Sequence, residues 1–230
     1  MTTNNPRIAL AFAAAVALAP LGAQATISRA MSFDDKVENA ASIVVGRCLR
    51  QQSQWDPSHK LILTYTTFRV EKTLKGMPAQ EVTVVTPGGT VGTIAQDTVG
   101  VPRFQAGEDH VVFVRNTNSG PTVLYFEQGA YRVQNEGNER VVKPLVSSAV
   151  LMDTQRGTAV APEEPRTLRD FEGNVSQSIR HHEEKVRMEL IEKRNQKTSS
   201  LSDVLRHNWA LVAIALLGGI LATWQLAKRW

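Results

Sequence analysis

Leu61-Ile62-Leu63-Thr64-Tyr65-Thr66-Thr67-Phe68-Arg69-Val70-Glu71-Lys72-Thr73-Leu74 is the stretch that decides the fold class. It is dense in β-branched and aromatic residues. Ile62, Thr64, Thr66, Phe68, Val70 and Leu74 fall on one side, and Leu61, Leu63, Tyr65, Thr67, Arg69 and Glu71 on the other. Flat strands of about 14 residues are uncommon, so the stretch is expected to bend and serve two parts of a small barrel. Segments 43–49, 81–87, 110–115, 122–126 and 131–133 share its character. Turn chemistry at 56–58, 75–78, 116–121 and 135–138 separates them. The expectation is a mainly β chain with a small OB-type β-barrel over residues 26–146, closed or nearly closed so that its edges are hidden.

Two helices flank these strands. Ser32, with Asp35 three residues on, predicts a short N-terminal helix over 32–41, with Phe33, Val37, Ala40 and Ala41 on one face. Residues 147–165 lose the alternation and end in Ala161-Pro162-Glu163-Glu164-Pro165, which reads as a linker. Thr167 then caps an amphipathic stalk helix over 166–197, whose stripe is Leu168, Phe171, Val175, Ile179, Val186 and Leu190. Gly173-Asn174 is a point where it could break. A coiled-coil homo-oligomer through this stripe stays open, although the stripe is too interrupted for heptads.

The two ends are apolar and carry topology. Residues 8–19 follow Arg7 and are too short to span a bilayer; with Pro20 and the small residues Ala23 and Ala25 they read as a signal peptide over 1–25. After a juxtamembrane linker at 198–208, residues 209–227 run without a charge, at about the length of one bilayer crossing. Trp209 and Trp224 sit where indoles favour headgroups, and Lys228 and Arg229 open a cytoplasmic tail at 228–230. The expected partner there is membrane lipid. The local Lys and Arg bias argues for the opposite orientation, but an export signal translocates a long domain largely regardless of charge. The 26–146 domain is therefore expected on the periplasmic, extracytoplasmic side of a single-pass membrane protein.

Charge excludes one class of partner. Residues 26–160 carry 14 Lys and Arg against 13 Asp and Glu, and residues 161–208 carry 9 of each. The net charge of +4 therefore belongs mainly to Arg7, Lys228 and Arg229, and no basic face for nucleic acid is expected. Cys48, the single cysteine, cannot close a disulfide within the chain and reads as a small buried hydrophobe.

Three constellations bear on chemistry. His181-His182-Glu183-Glu184 gathers metal-capable residues, but position 186, where a zincin helix needs its second histidine, is Val186. Pro87-Gly88-Gly89-Thr90-Val91-Gly92 follows a strand, yet lacks the lysine and the following helix of a phosphate loop. The segment from Gly88 to Gly100, closed by Pro102-Arg103-Phe104, is longer than a compact barrel needs. Long loops on rigid scaffolds carry recognition, so Gly88, Gly89, Thr90, Gly92, Arg103 and Phe104 are the candidate binding residues. No G-x-S-x-G elbow organises a nucleophile, no cofactor motif is present, and no catalytic or metal residue is assigned.

Residues 32–135 resemble a family of exported bacterial proteins of uncharacterised function and, more distantly, the netrin-like or tissue-inhibitor-of-metalloproteinases barrel. Ala41-Ser42-Ile43-Val44-Val45-Gly46, Tyr65-Thr66-Thr67-Phe68-Arg69-Val70 leading to Leu74-Lys75-Gly76, and Pro87-Gly88-Gly89 carry the likeness. So do Pro102-Arg103-Phe104 with Gly107-Glu108, and Gly129-Ala130-Tyr131-Arg132-Val133. The resemblance implies the barrel fold. It does not carry the inhibitor mechanism, which needs a terminal cysteine where this chain would begin Thr26-Ile27-Ser28. The functional expectation is a membrane-anchored, non-catalytic module that binds a protein or envelope component. An envelope hydrolase or metal-dependent enzyme using residues 181–184 is the alternative.

Overall fold

In chain order the strands are β1 (Ile27–Arg29), β2 (Ser42–Trp55), β3 (Ile62–Lys75), β4 (Glu81–Pro87), β5 (Gly89–Val91), β6 (Ile94–Gln96), β7 (Asp109–Thr117), β8 (Gly120–Val123), β9 (Ala130–Glu136), β10 (Glu139–Pro144), β11 (Val150–Asp153), β12 (Thr158–Ala159) and β13 (Arg166–Thr167). The helices are α1 (Phe33–Asn39) and α2 (Leu168–His207). This computed structural model describes residues 27–145 and 149–210, and beyond them 213, 214, 217, 218, 224, 227 and 228. The expected signal peptide at 1–25, with Ala23 and Ala25, lies outside the described residues, as does Arg229.

The chain is mainly β, and its main sheet is open. Strand order is β13-β10-β9-β7-β2-β3-β4, with β8 paired to the second half of β7. The expected closed barrel is thereby corrected. The backbone ladder ends at β4, and the nearby β8 is tied to it through a side chain, Thr122 Oγ1 donating to the Val85 carbonyl at 2.7 Å. The β2–β3 ladder slips register between Ile43 and Val44, between Val45 and Gly46, and between Cys48 and Arg50. Such irregularities bend and twist a strand pair.

Two cores lie on opposite faces of the sheet. The pairings Ile43↔Phe113, Val44↔Val112 and Val45↔Val111 put alternate residues of β2 and β7 on alternate faces. Val44, Cys48, Phe68, Val84, Phe104, Val112, Val114 and Val123 form one buried cluster. On the other face the Phe113 ring meets Phe33 at 6.3 Å, Tyr131 at 5.8 Å and Phe171 at 6.2 Å between centroids. Burial on both faces explains the unbroken apolar runs at 43–45 and 111–114, where a half-exposed strand would alternate.

Helix starts follow their sequence signals. The Asp35 N–H donates to Ser32 Oγ at 3.0 Å, and the Asp170 N–H to Thr167 Oγ1 at 3.1 Å. Both caps satisfy an N–H that the first turn leaves without an intrahelical partner. Residues 150–153 and 158–159, in the segment expected as a linker, form a small sheet of order β1-β11-β12 in which β1 and β11 run parallel.

The chain divides into two compact units between residues 171 and 172. Along α2, Val175 and Ser178 are buried, while Val186, Met188, Leu190 and Ile191 are exposed. Gly173-Asn174 does not interrupt the helix, which continues through the expected break and beyond residue 197. No helix among the described residues is long and apolar enough to cross a membrane. Most of the expected transmembrane helix at 209–227 lies outside the described residues. The helix with enough length, α2, is charged along most of its course, and only scattered residues of 211–227 are described. Trp209 is exposed, and Lys228 Nζ lies 3.8 Å from the centroid of the Trp224 ring.

Candidate functional site

A groove of about 510 Å³ lies where the Gly88–Gly100 segment folds back over β3 and β4. Gly88, Gly89, Thr90, Arg103 and Phe104 line it together with Gln51, Thr64, Thr66, Thr86, Gln96, Asp97 and Thr98. Gly92 does not, because it sits at the turn of the β5–β6 hairpin with open space beside its Cα. The segment expected to be a long loop is thus partly a hairpin.

The groove is held in shape by side chains that reach the backbone. Thr64 Oγ1 donates to the Gly88 carbonyl at 2.6 Å, and Ser53 Oγ shares a hydrogen bond with it at 2.9 Å. The Ile62 N–H donates to Gln96 Oε1 at 2.7 Å, and Gln51 Nε2 to the Phe104 carbonyl at 2.5 Å. Gly89 has φ 134°, and a Cβ there would collide with Thr64 Oγ1 and Ser53 Oγ. Only glycine lets the chain pass this close to β3. On the rim, the exposed Arg103 and Asp97 pair at 2.7 Å, which leaves the lining dominated by neutral hydroxyl and amide groups.

Beneath Phe104 lies a polar group that the sequence marks only faintly. His110 is fully buried, with its ring 5.0 Å from Phe104 and 5.9 Å from Phe68, edge to face. Among the described residues neither ring nitrogen meets the geometry of a hydrogen bond; Glu108 Oε2 stands 3.6 Å from Nε2, and Arg132 Nε 3.2 Å from that oxygen. Burial pushes the His110 pKa down to about 4, so the imidazole is neutral near pH 7. Cys48, in the same cluster, is buried, and burial raises its pKa. A thiol kept protonated in this way is a poor nucleophile.

Comparison with protein-family models, curated proteins and solved structures found no match for this chain. The reading of the groove therefore rests on its own geometry.

Residues 181–184 lie on α2, with His181 exposed and His182 half-buried. Among the described residues no group of three or more His, Cys, Asp or Glu is placed to hold a metal ion.

The buried imidazole makes stability pH-dependent. An unfolded histidine titrates near 6.5 and the folded one near 4, so between those values the unfolded chain binds more protons. Stability is expected to be complete above pH 6.5 and to fall as pH drops toward 4, by about 3 kcal/mol from this group. Urea midpoints of wild type and His110→Leu between pH 7 and 4 check this. The variant should lose the part of the slope that lies in that window, and parallel profiles would refute it.

Proposed function

We propose that the chain is a non-catalytic binding module whose groove takes an uncharged, hydroxyl-rich segment of an envelope component, such as a glycan chain. One observation carries the reading. The groove is lined by threonine hydroxyls from three segments and by the Gln51 and Gln96 amides, while its one flanking ion pair is internally neutralised. Neutral donors and acceptors on a rigid sheet suit a ligand with many hydroxyls, and lack the unpaired cations that bind phosphate or carboxylate strongly. The envelope setting comes from the export signal read at residues 1–25.

Calorimetric titration of the protein with matched neutral and acidic envelope oligosaccharides tests it, alongside fractionation of cells to place the protein. A neutral oligosaccharide should bind, and Thr90→Val should weaken it by about tenfold, since one ligand hydroxyl loses its partner, without shifting the thermal midpoint. Preference for the acidic series, or indifference to Thr90→Val, would overturn the assignment of the groove.

A further inference from the structure

A second cavity, on the other side of the sheet from the groove's core cluster, has a different chemistry. It measures about 250 Å³ and is walled mainly by apolar residues, among them Met31, Leu145, Val150, Leu151 and Val160. One end is polar. Lys36, only 2% exposed, donates from Nζ to Tyr131 Oη at 2.6 Å and pairs with Glu163, which also accepts from Tyr131 and from Arg166.

We propose that this cavity binds a small, uncharged, mainly apolar molecule through a single carbonyl-type oxygen that accepts from Lys36. Three observations support it. First, an ammonium has three donors, and Tyr131 and Glu163 take two of them. Among the described residues no acceptor takes the third, and an oxygen entering from the cavity that Lys36 lines would satisfy it, because a buried donor without a partner is costly. Second, the charged lining residues are Lys36, Glu127 and Glu163, and Arg166, outside the lining, pairs with Glu163, so no cation is left for an anionic head group and Lys36 repels a cationic one. Third, a cavity of about 150 Å³ holds benzene, so about 250 Å³ suits roughly ten non-hydrogen atoms. Burial lowers the Lys36 pKa, which agrees with a site where added charge is disfavoured. The proposal does not depend on the groove.

Three probes of matched shape test it on the full chain: acetophenone, α-methylstyrene, in which a methylene replaces the oxygen, and benzoate. Saturation-transfer NMR titration should show saturable acetophenone binding, about tenfold tighter than α-methylstyrene and tighter than benzoate. Leu151→Trp, which fills the cavity and leaves Lys36 in place, should abolish it. Lys36→Met should remove the preference of ketone over alkene. Equal affinity for ketone and alkene, tighter benzoate binding, no saturable binding, or full binding by a folded Leu151→Trp protein would each overturn the proposal. The ligand comparison uses the unaltered protein, so its outcome stands whatever either variant does to folding.

Discussion

Phe68→Ala is expected to lower the stability of the sheet unit by about 3–5 kcal/mol, among the largest effects of any single replacement in this chain. The Phe68 side chain is fully buried on β3 and meets the Phe104 ring edge to face at 4.9 Å. Truncation removes the transfer free energy of the ring and leaves a cavity beside a neutral, buried His110. Because Phe104 is also a wall of the groove, ligand binding there should fall with stability. Phe68→Leu keeps most of the volume and should cost about 1 kcal/mol. Urea titration monitored by near-UV circular dichroism decides between these values, and a loss below about 1 kcal/mol for alanine would show that the cluster does not organise the fold.

Glu163→Gln is the second large effect. It leaves the Lys36 ammonium buried beside Tyr131 without its carboxylate, and breaking one side of a buried pair costs about 3–5 kcal/mol. The Glu163 side chain is 27% exposed, which places the expectation near the lower end, about 3 kcal/mol. Burial already holds the Lys36 pKa below 10.5, and the interactions with Glu163 oppose that shift. Removing them lowers it further. In the window between the folded value and 10.5 the unfolded chain binds more protons, so the stability of the variant should climb with pH more steeply than that of wild type. The double variant Lys36→Met with Glu163→Gln should regain much of the loss, since no charge is then stranded. Additive losses in that cycle would contradict direct pairing.

Local signals were the legible ones. Ser32 with Asp35 and Thr167 with Asp170 announced two helix starts, because a cap is a contact between residues three apart. The long strand at 61–74 was readable from its β-branched density. Its partner was read only to residue 49, although β2 continues to Trp55, because Arg50-Gln51-Gln52-Ser53-Gln54 is polar and mostly exposed and owes its strand form to pairing with β3. Strands β10 to β13 also escaped, because each is only two to six residues long, too short for a period to show. Of the candidate site, Gly88, Gly89, Thr90, Arg103 and Phe104 come together at one groove and Gly92 does not, since the hairpin it turns was not visible in a glycine-rich stretch. Lys36 and Glu163 carried no signal, lying 127 positions apart. His110 had a faint one, a lone polar residue heading the apolar run Val111 to Val114.

From the sequence alone follow the mainly β character, the two capped helices, the near-balance of charge over residues 26–208 and the interest of the Gly88 to Phe104 segment. Each depends on composition or on neighbours a few residues apart. Only the tertiary structure decided that the sheet stays open at β4, that both of its faces are buried, and that Lys36, Tyr131 and Glu163 meet at the end of a cavity. These depend on strand pairings between distant segments, and closure in particular depends on whether two edge strands align their backbones. Here β4 and β8 meet through Thr122 and Val85 without forming a ladder, a distinction that hydrophobic alternation cannot encode.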